Sequence, residues 1–366
     1  GGILDLSTAK LGLGASTGAY LDGGLQNYLL GAISNFKLYD TALTAEEVKT
    51  LYDMGRCSNA IPKTLHIMGG MMRYNNDIGK LQIHNGARWS TIGGIRASGG
   101  RRSTFGDYAL HVFTESGSFS IDNNEGGYVD ILIVAGGGSG GGASNAGGGG
   151  AGGILFAQNY FLSGGAYTAT VGAGAAATNA SGGTGGDSSF SRINATAKGG
   201  GAGGEYQSNG GAGGNGGGAG ADDRNTTRTG GSNNVGSTPS GFTKYGNPGG
   251  GGINGTSSGR AGGGGGGAGG YGGQANGSTP GVGGKGINLT ATFGTNVGES
   301  GYFASGGHGQ SRSNVGRIYP GPLGGGGGND HDRAGLPNTG GGSHGGVGGS
   351  LINPGGSGVI IVRYLV

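Results

Sequence analysis

The clearest hydrophobic pattern in the chain is a pair of apolar runs on either side of a long glycine-rich region. "DILIVAG" begins at Asp130, and "GSGVIIVRYLV" closes the sequence. Continuous apolar runs of this length are typical of strands buried on both faces. Before the first run, "ALHVFT" and "GSFSID" alternate apolar and polar residues, which predicts a hairpin with one half-exposed face. We expect Ile131–Val134 and Val359–Val362 to pair and clasp the two ends of the glycine-rich region.

The first 58 residues contain a strand-like run followed by a helical pattern. "GAISNFKLYD" clusters apolar residues at strand length, and "ALTAEEVKTLYDMGR" repeats them at helical spacing. Thr44 and Glu47 have the spacing of a capping box, and Gly55 is the helix stop. These residues resemble the closing segment of a laminin-G/concanavalin-like domain. We therefore expect residues 1–58 to be the C-terminal part of such a sandwich, without the sugar-binding face of that family.

Residues 59–104 predict a small β-meander and a linker. Three short strand patterns between residues 69 and 93 are separated by "NNDIG" and "NGA". Asn85-Gly86 suits the positive φ angles of a tight hairpin. The pattern is similar to the small meander of virion fibre proteins. Trp89 is the single tryptophan of the chain, and we expect it to fill the core of this meander.

Composition divides the chain into two different materials. Of its 366 residues 104 are glycine, and 83 of these glycines lie between Gly136 and Gly358. Charged residues make up 11% of the chain and the formal net charge is +3, so no basic surface for nucleic acid is indicated. No apolar segment approaches the roughly 18 residues that span a bilayer. We expect no nucleic-acid partner and no membrane insertion.

The two borders of the glycine-rich region carry a recognisable pattern. "H-x-F-T-x-S-G-S-F-x-I" and "V-D-I-L-I-V-A-G-G-G" open the region, and "G-G-S-G-V-I-I-V-R-Y" closes it. Together they resemble the glycine-rich domain of fibre and adhesin proteins from tailed phages and large DNA viruses. The resemblance covers residues 105–366. It implies a virion fibre or tip protein and names no receptor.

Glycine runs of this density have three possible explanations. A phosphate-binding loop needs a strand, a single loop, a helix and a downstream acid, and no helical period follows Gly136. A disordered linker is the second, because ordering a residue costs about 1 to 2 kcal/mol while a net hydrogen bond contributes about 0.5 to 1.5 kcal/mol. Yet segments such as "ILFAQNYF" and "SGYFASG" interrupt the runs, and aromatic residues are uncommon in linkers.

The third explanation is a bundle of polyglycine-II helices. A chain in the polyproline-II conformation has three residues per turn and makes no internal hydrogen bonds, so its N–H and C=O groups point towards neighbouring chains. Only chains without side chains pack closely enough to join these groups. We therefore predict that residues 105–366 are mostly β and irregular in fold: a polyglycine-II helix bundle clasped by two apolar β-strands.

In such a bundle, function is expected in the loops that connect the runs. The long glycine-poor connections are residues 221–248, 287–323 and 329–340. Aromatic faces beside Arg, Asn and Asp side chains suit glycans, although the same aromatics could instead seal the ends of the bundle. The candidate receptor-binding residues are Phe242, Tyr245, Tyr302, Phe303, Arg317, Tyr319, Asp222 and Asp223.

Catalytic and metal chemistry finds little support in the sequence. A hydrolase needs paired carboxylates or a nucleophile with its base, and the acids of the glycine-rich region are scattered. Asn329–Asp332, "NDHD", could offer oxygen ligands to a cation, but a solvated turn explains it better. Cys57 is the single cysteine and has no clustered partners. We expect no enzyme activity, no cofactor and no metal.

These features together favour a segment of a virion fibre or adhesin, at the virion surface or outside the cell. Its rigid loops would attach to a host-surface receptor, most simply a glycan, and it would assemble with other fibre subunits as a homo-oligomer. The sequence does not begin with Met, so we expect it to start inside a longer polypeptide. The alternatives are a structural extracellular filament or matrix protein without a receptor, and an ice-binding or surface-binding polyglycine-II protein.

Overall fold

The chain forms two compact units, Gly1–Gly94 and Ile95–Val366. In the computed structural model, the described residues are 44, 72–75, 80–84, 89–91, 95–122, 126–142, 144–177, 180–223, 228–253, 259–311, 320–328, 333–346 and 353–366. Apart from Thr44, the laminin-G-like segment expected at residues 1–58 lies outside the described residues and stays a prediction.

The first unit contains the predicted three-stranded meander. Its strands are β1 Met72–Asn75, β2 Lys80–His84 and β3 Trp89–Thr91. They pair in the order β1-β2-β3, with both pairs antiparallel, as the strand patterns predicted. The expected Asn85-Gly86 turn and the Trp89 side chain lie outside what the structure describes.

The second unit consists of two six-stranded sheets and the glycine-rich runs. The first sheet, which we call the clasp sheet, has the order β14-β9-β8-β17-β6-β5, and the second, the cover sheet, has the order β13-β12-β11-β10-β7-β4. A short ladder joins β15 to β16, and the described helix of this unit has four residues. The elements are β4 Ala97–Ser98, β5 Arg101–Phe105, β6 Tyr108–Phe113, β7 Gly117–Ile121, β8 Gly127–Val134, β9 Ile154–Leu162, β10 Gly165–Thr170, β11 Ser188–Phe190, β12 Ala195–Ala197, β13 Gly236–Ser237, β14 Thr243–Tyr245, β15 Ile287–Asn288, α1 Thr290–Phe293, β16 Tyr302–Phe303 and β17 Val359–Leu365.

The predicted clasp is confirmed. Strand β17 pairs antiparallel with β8, from Val359 opposite Val134 to Arg363 opposite Asp130. On its other side β17 pairs with β6, so the end of the chain lies in the middle of the sheet. The side chains of Ile131–Val134 are fully buried, and burial of each large aliphatic side chain stabilises the fold by about 1.5 to 3 kcal/mol.

The predicted hairpin between "ALHVFT" and "GSFSID" is wrong, because the two strands belong to different sheets. Strand β6 lies in the clasp sheet and β7 in the cover sheet. Their side chains meet across the space between the sheets. The ring centroid of Phe119 lies 5.3 Å from that of His111 and 6.4 Å from that of Phe113. Burying Phe119 between two sheets removes more apolar surface from water than a hairpin with one exposed face would.

The two sheets enclose an aromatic core, and the clasp sheet has a second apolar layer on its other face. Between the sheets, the Tyr167 and Phe190 rings stack with centroids 5.2 Å apart. On the outer face of the clasp sheet, Leu132 and Ile361 belong to one buried cluster with Phe293 of α1. The segment that includes β15, α1 and β16 thus covers this face.

The glycine runs are joined by hydrogen bonds that repeat every three residues. In the run 147–153, the N–H groups of residues 147, 150 and 153 donate to carbonyls in the run 198–204. The N–H groups of residues 148 and 151 donate to the run 263–266, and those of residues 149 and 152 donate to the run 340–343. The carbonyls of residues 147, 150 and 153 all accept from N–H groups in the run 135–141. One run therefore bonds to several neighbours in different directions.

A three-residue repeat is that of the polyproline-II conformation. No polyglycine-II helix is identified as an element among the described residues, so that assignment stays a prediction, which the repeat supports. The described runs are buried as well as hydrogen-bonded, which is the environment of a packed scaffold and not of a linker. With or without the polyglycine-II assignment, the fold of the second unit is β-rich and irregular.

The runs place a set of turns at the end of the bundle that lies away from the sheets. We call residues 144–146, 205–209, 221–223, 228, 259–260 and 310–311 the loop end. Their backbones are joined: Ala221 N–H donates to the Asn145 carbonyl, and Gln207 N–H donates to the Ala221 carbonyl. The Gln310 N–H donates to the Ala146 carbonyl. Turns that are distant in sequence are thereby held in one place.

One histidine is enclosed among the runs. His344 is 1% exposed, and its backbone N–H donates to the Arg333 carbonyl over 2.8 Å. Burial lowers the pKa of His344 from 6.5 to about 3; the Gly345 carbonyl beside Nδ1 acts in the opposite direction, and the charges of His308 and Arg333 lower the pKa further. The imidazole is therefore neutral in the folded protein at neutral pH.

We expect Gly265→Ala to destabilise the fold by about 3 kcal/mol, because a Cβ atom there would lie 2.0 Å from the Gly149 carbonyl oxygen. Backbone of a neighbouring run cannot move away as a side-chain end can. Gly270→Ala is the matched control from the same run, since its Cβ would have nothing nearer than 3.7 Å. Denaturant unfolding should give Gly270→Ala a free energy of unfolding near that of the parent. Equal stabilities of the two variants would contradict the close packing of the runs.

We also expect His344 to make the protein less stable in mild acid. Its folded pKa lies below its unfolded value, so the unfolded chain takes up the proton first and stability is lost as pH falls from 6.5 towards 3. At pH 4 the loss from this group is about 3 kcal/mol. His344→Asn keeps an amide N–H donor near the Nδ1 position and removes the titration. Denaturant unfolding at pH 7 and pH 4 should show a smaller acid loss for the variant, and an unchanged loss would contradict the assignment.

Candidate functional site at the loop end

A network of polar side chains lies at the loop end around Asp223. The Gln207 side-chain amide donates to Asp223 Oδ1 over 2.6 Å, and Arg260 Nη2 lies 3.6 Å from Asp223 Oδ2. Arg260 Nη1 donates to the Tyr206 hydroxyl over 2.8 Å. The Asp223 side chain is 39% exposed and that of Arg260 is 23% exposed. The network is therefore ordered by its own hydrogen bonds while part of it faces solvent.

The protonation of this network follows from its contacts. Burial raises the pKa of Tyr206, and its hydrogen bond with Asp223 raises the pKa further. That same hydrogen bond is the main cause of a lowered pKa for Asp223, with contributions from Gln207 and Arg260. The two shifts agree, because a phenol that donates to a carboxylate holds its proton and stabilises the anion. At neutral pH the network contains a carboxylate, a guanidinium and a neutral phenol.

A buried ion pair lies next to the network in sequence, at Asp222. Asp222 is fully buried, and both Nε and Nη2 of Arg228 contact its Oδ2, over 2.7 Å and 2.6 Å. The Arg228 side chain is 22% exposed. Removing one partner from a buried pair typically costs several kcal/mol, so this pair fixes the path of the chain. Asp222 and Asp223 are thus adjacent in sequence and different in environment.

The backbone positions Tyr206 and Gln207 between two glycine runs. The Gln207 N–H donates to the Ala221 carbonyl, and the Ser208 N–H donates to the Glu205 carbonyl and closes the turn. Gln207 has a φ of 64°, a conformation that a residue with a side chain adopts at a cost. The turn is therefore held in one conformation by the runs on both sides of it.

The structure places four of the predicted residues away from the loop end, three of them against the sheets. Phe242 lies 5.1 Å from Tyr160, ring centroid to ring centroid, and packs against the core between the sheets. Tyr245 packs against the outer layer of the clasp sheet, and Phe303 is fully buried within that layer. The Tyr302 hydroxyl accepts a hydrogen bond from the Asn288 amide over 3.0 Å. Phe242, Tyr245 and Phe303 thus pack against the sheets, and Tyr302 lies in the short β15–β16 ladder.

The described members of the predicted set are therefore not brought together in one place. Asp222 and Asp223 lie at the loop end, and Arg317 and Tyr319 lie outside the described residues, as do Asn329–Asp332 and Cys57. The sequence reasoning missed Tyr206, Gln207 and Arg260. The signal for Tyr206 and Gln207 was the short interruption "EYQSN" between two glycine runs, which was overlooked because long connections were preferred. Arg260 directly precedes the glycine run 261–273.

The chemistry of the loop end is that of a binding surface. It offers hydrogen-bond acceptors on Asp223, donors on Gln207 and Arg260, and one face of the Tyr206 ring, over which the Arg260 guanidinium lies at 5.7 Å. Within the described ranges, no group of three or more His, Cys, Asp or Glu side chains could hold a metal ion. No helix in that part of the chain is both long and apolar enough to cross a membrane.

Comparison with known proteins identifies the second unit. A family model described as a glycine-rich domain matches residues 114–365, which include β7 to β17, both clasp strands and all the glycine runs. A search of the curated proteins found no match to the chain. The family match covers well over half of the sequence. The chain therefore belongs to the glycine-rich domain family.

Proposed function

We propose that the protein is a non-enzymatic attachment protein whose loop end binds a glycan on a host surface. The observation that carries the proposal is the partly exposed network of Tyr206, Gln207, Asp223 and Arg260 at the ends of rigid runs. The viral context rests on the resemblance of the domain borders to fibre and adhesin proteins. In that context the protein is a virion fibre component that acts as a homo-oligomer.

Rigid presentation favours binding because little ordering is left to oppose it. The Gln207 turn is tied to residue 221, and the next residue, Asp222, is held by its ion pair with Arg228. A flexible loop would lose conformational freedom for every side chain it immobilises. Here much of that freedom is already lost when the protein folds.

The exposed groups match the chemistry of a sugar. Hydroxyl groups both donate and accept, and the network offers a carboxylate beside amide and guanidinium donors. The ring of Tyr206 adds an apolar surface on which sugar C–H groups can pack. A single site of this kind is weak, and repeated copies on one particle would raise the overall affinity.

Glycan binding by the full chain tests the proposal. We expect protein displayed in many copies on fluorescent beads to bind some glycans of a printed array of bacterial, algal and animal surface glycans. Asp223→Ala combined with Arg260→Ala should weaken that binding about tenfold or more, since lost charge-assisted hydrogen bonds are each worth 1.5 to 3 kcal/mol, roughly. The matched control, Glu115→Ala with Arg101→Ala, removes two exposed charges at the sheets and should leave binding unchanged.

Two outcomes would contradict the attachment proposal. The beads could bind no glycan at all, or the loop-end variant could bind as well as the parent. Thermal unfolding of both double variants shows whether a loss of glycan binding comes from unfolding. The control pair lies away from the loop end, so it shows whether the loss is specific to that site.

A second candidate function is that of a structural filament protein without a receptor, and one observation favours it. Tyr128 and Phe161 are directly opposite each other on β8 and β9, with ring centroids 5.4 Å apart. Their side chains are 50% and 49% exposed. Apolar side chains exposed as a pair on a sheet suit contact with another copy of the chain.

We expect the full chain to self-associate through this aromatic pair. Sedimentation velocity over a range of protein concentrations should detect oligomers, and Tyr128→Ser with Phe161→Ser should raise the dissociation constant about tenfold or more. Tyr271→Ser is the control, because Tyr271 is 73% exposed. A filament protein would lose assembly with the first variant and show no binding on the glycan array. A parent chain that stays monomeric at all concentrations would contradict self-association.

A further inference from the structure

A cleft of about 250 Å³ lies at the ends of strands β11, β12 and β13 of the cover sheet, and none of its lining residues belongs to the loop end. Its floor is the backbone of Gly185, Gly199 and Gly213, three residues of separate runs. No side chain fits on this floor: a Cβ on Gly199 would lie 1.8 Å from the Gly185 carbonyl oxygen. The floor is therefore made of peptide groups, and the polar side chains of the lining lie around it.

Four polar side chains surround the floor. Asp187 and Lys198 form an ion pair, with Lys198 Nζ 2.6 Å from Asp187 Oδ2. Thr184 and Asn234 also line the cleft, and all four residues are exposed. The cleft is therefore open to solvent and lined by a carboxylate, an ammonium, an amide and a hydroxyl.

The carboxylate is held in a fixed orientation. The Gly199 N–H donates to Asp187 Oδ1 over 3.0 Å, while Oδ2 contacts the ammonium of Lys198. Each carboxylate oxygen keeps further acceptor capacity, and the lysine ammonium has three donors of which this pair uses one. The ion pair thus leaves both acceptors and donors available to a molecule in the cleft.

This pattern selects against charged ligands. Lys198 would attract an anion that Asp187 repels, and Asp187 would attract a cation that Lys198 repels. The attraction and the repulsion largely cancel because the two charges lie 2.6 Å apart. A neutral molecule with neighbouring hydroxyl groups can donate to the carboxylate and accept from the ammonium at the same time. The side chains of Thr184 and Asn234 add one hydroxyl and one amide of the same mixed character.

Size narrows the ligand further. Pockets for drug-sized molecules have volumes of about 300 to 1,000 Å³, so a cleft of about 250 Å³ suits a smaller molecule. We propose that this cleft binds one neutral sugar residue, through paired hydroxyl groups on Asp187 and Lys198. The inference goes beyond the attachment function proposed above and holds whether or not the loop end binds a glycan.

Saturation-transfer difference NMR on the full chain tests the cleft with named probes. The neutral probes are the methyl glycosides of glucose, galactose and mannose and N-acetylglucosamine, and the charged probes are glucuronate and glucosamine. A ligand of about a dozen non-hydrogen atoms held mainly by hydrogen bonds should bind with a Kd in the millimolar range, roughly. We expect a saturable signal from at least one neutral sugar and a weaker signal from both charged sugars.

Ala212 provides the decisive variant because it is exposed and lines the cleft. Ala212→Leu should fill the cleft and reduce the signal about fivefold or more, whereas Ala176→Leu adds the same side chain at another exposed alanine and should keep it. Asp187→Asn should also weaken the signal, since the amide can still accept from the Gly199 N–H while the charge is lost. Matching thermal unfolding of the variants shows that the fold is intact.

The loop-end variant Asp223→Ala with Arg260→Ala separates this site from the attachment site. It should leave the monosaccharide signal unchanged, and its loss of the signal would place binding at the loop end and overturn the cleft proposal. The proposal is also overturned if no sugar gives a saturable signal, if glucuronate or glucosamine binds as tightly as the neutral sugars, or if Ala212→Leu binds like the parent. None of these results depends on the outcome of the array experiment.

Discussion

The hydrogen bonds between glycine runs are the interaction on which the second unit depends. The run 147–153 gives its N–H groups to three different neighbours in turn. The backbones lie so close together that a Cβ on Gly149 would lie 2.2 Å from the Gly138 carbonyl oxygen. A buried backbone group without a partner costs about 1 to 3 kcal/mol, so the runs are stable only together. Glycine is required here for the space it leaves and not for flexibility.

The sheets solve the problem that this scaffold creates. Glycine loses more conformational freedom on folding than any other residue, so loose run ends would fray. Strand β8 leads the chain into residues 136–153, and β9 follows them. Strand β17 lies between β8 and β6 and so fixes the end of the last run. The apolar side chains absent from the runs are concentrated in these sheets. Hydrophobic burial and backbone hydrogen bonding are thus separated into adjoining parts of one unit.

The clasp could be predicted because an uninterrupted apolar run has only one favourable environment, and Ile131 and Ile360 are fully buried. The hairpin could not, since alternation along a strand does not indicate which strand pairs with it, and β6 is buried on both faces. Phe119 decides the matter by packing between the two sheets. The aromatic residue Phe303 was expected in a binding loop, but residue type alone does not distinguish a contact residue from a core residue. Predicting the Tyr206 network requires knowing which residues of neighbouring runs lie side by side, and composition does not give this information.

Chemical variation in this architecture is restricted to a few places. At the close-packed glycine positions a side chain would enter the backbone of a neighbouring run. Polar side chains therefore lie at the few positions within runs that have room for them, as at His344, where runs end, or where a run borders the surface. Asp222 and Asp223 show how sharply the environment changes there: the first is fully buried against Arg228, and the second is partly exposed beside Arg260. The Asp187–Lys198 pair occupies the other kind of position, where runs join the edge of a sheet. At both positions the carboxylate is held by its neighbours, Asp223 by Gln207 and Arg260 and Asp187 by Lys198 and the Gly199 N–H. Polar groups that are held in this way and still face solvent are the places where recognition can be built.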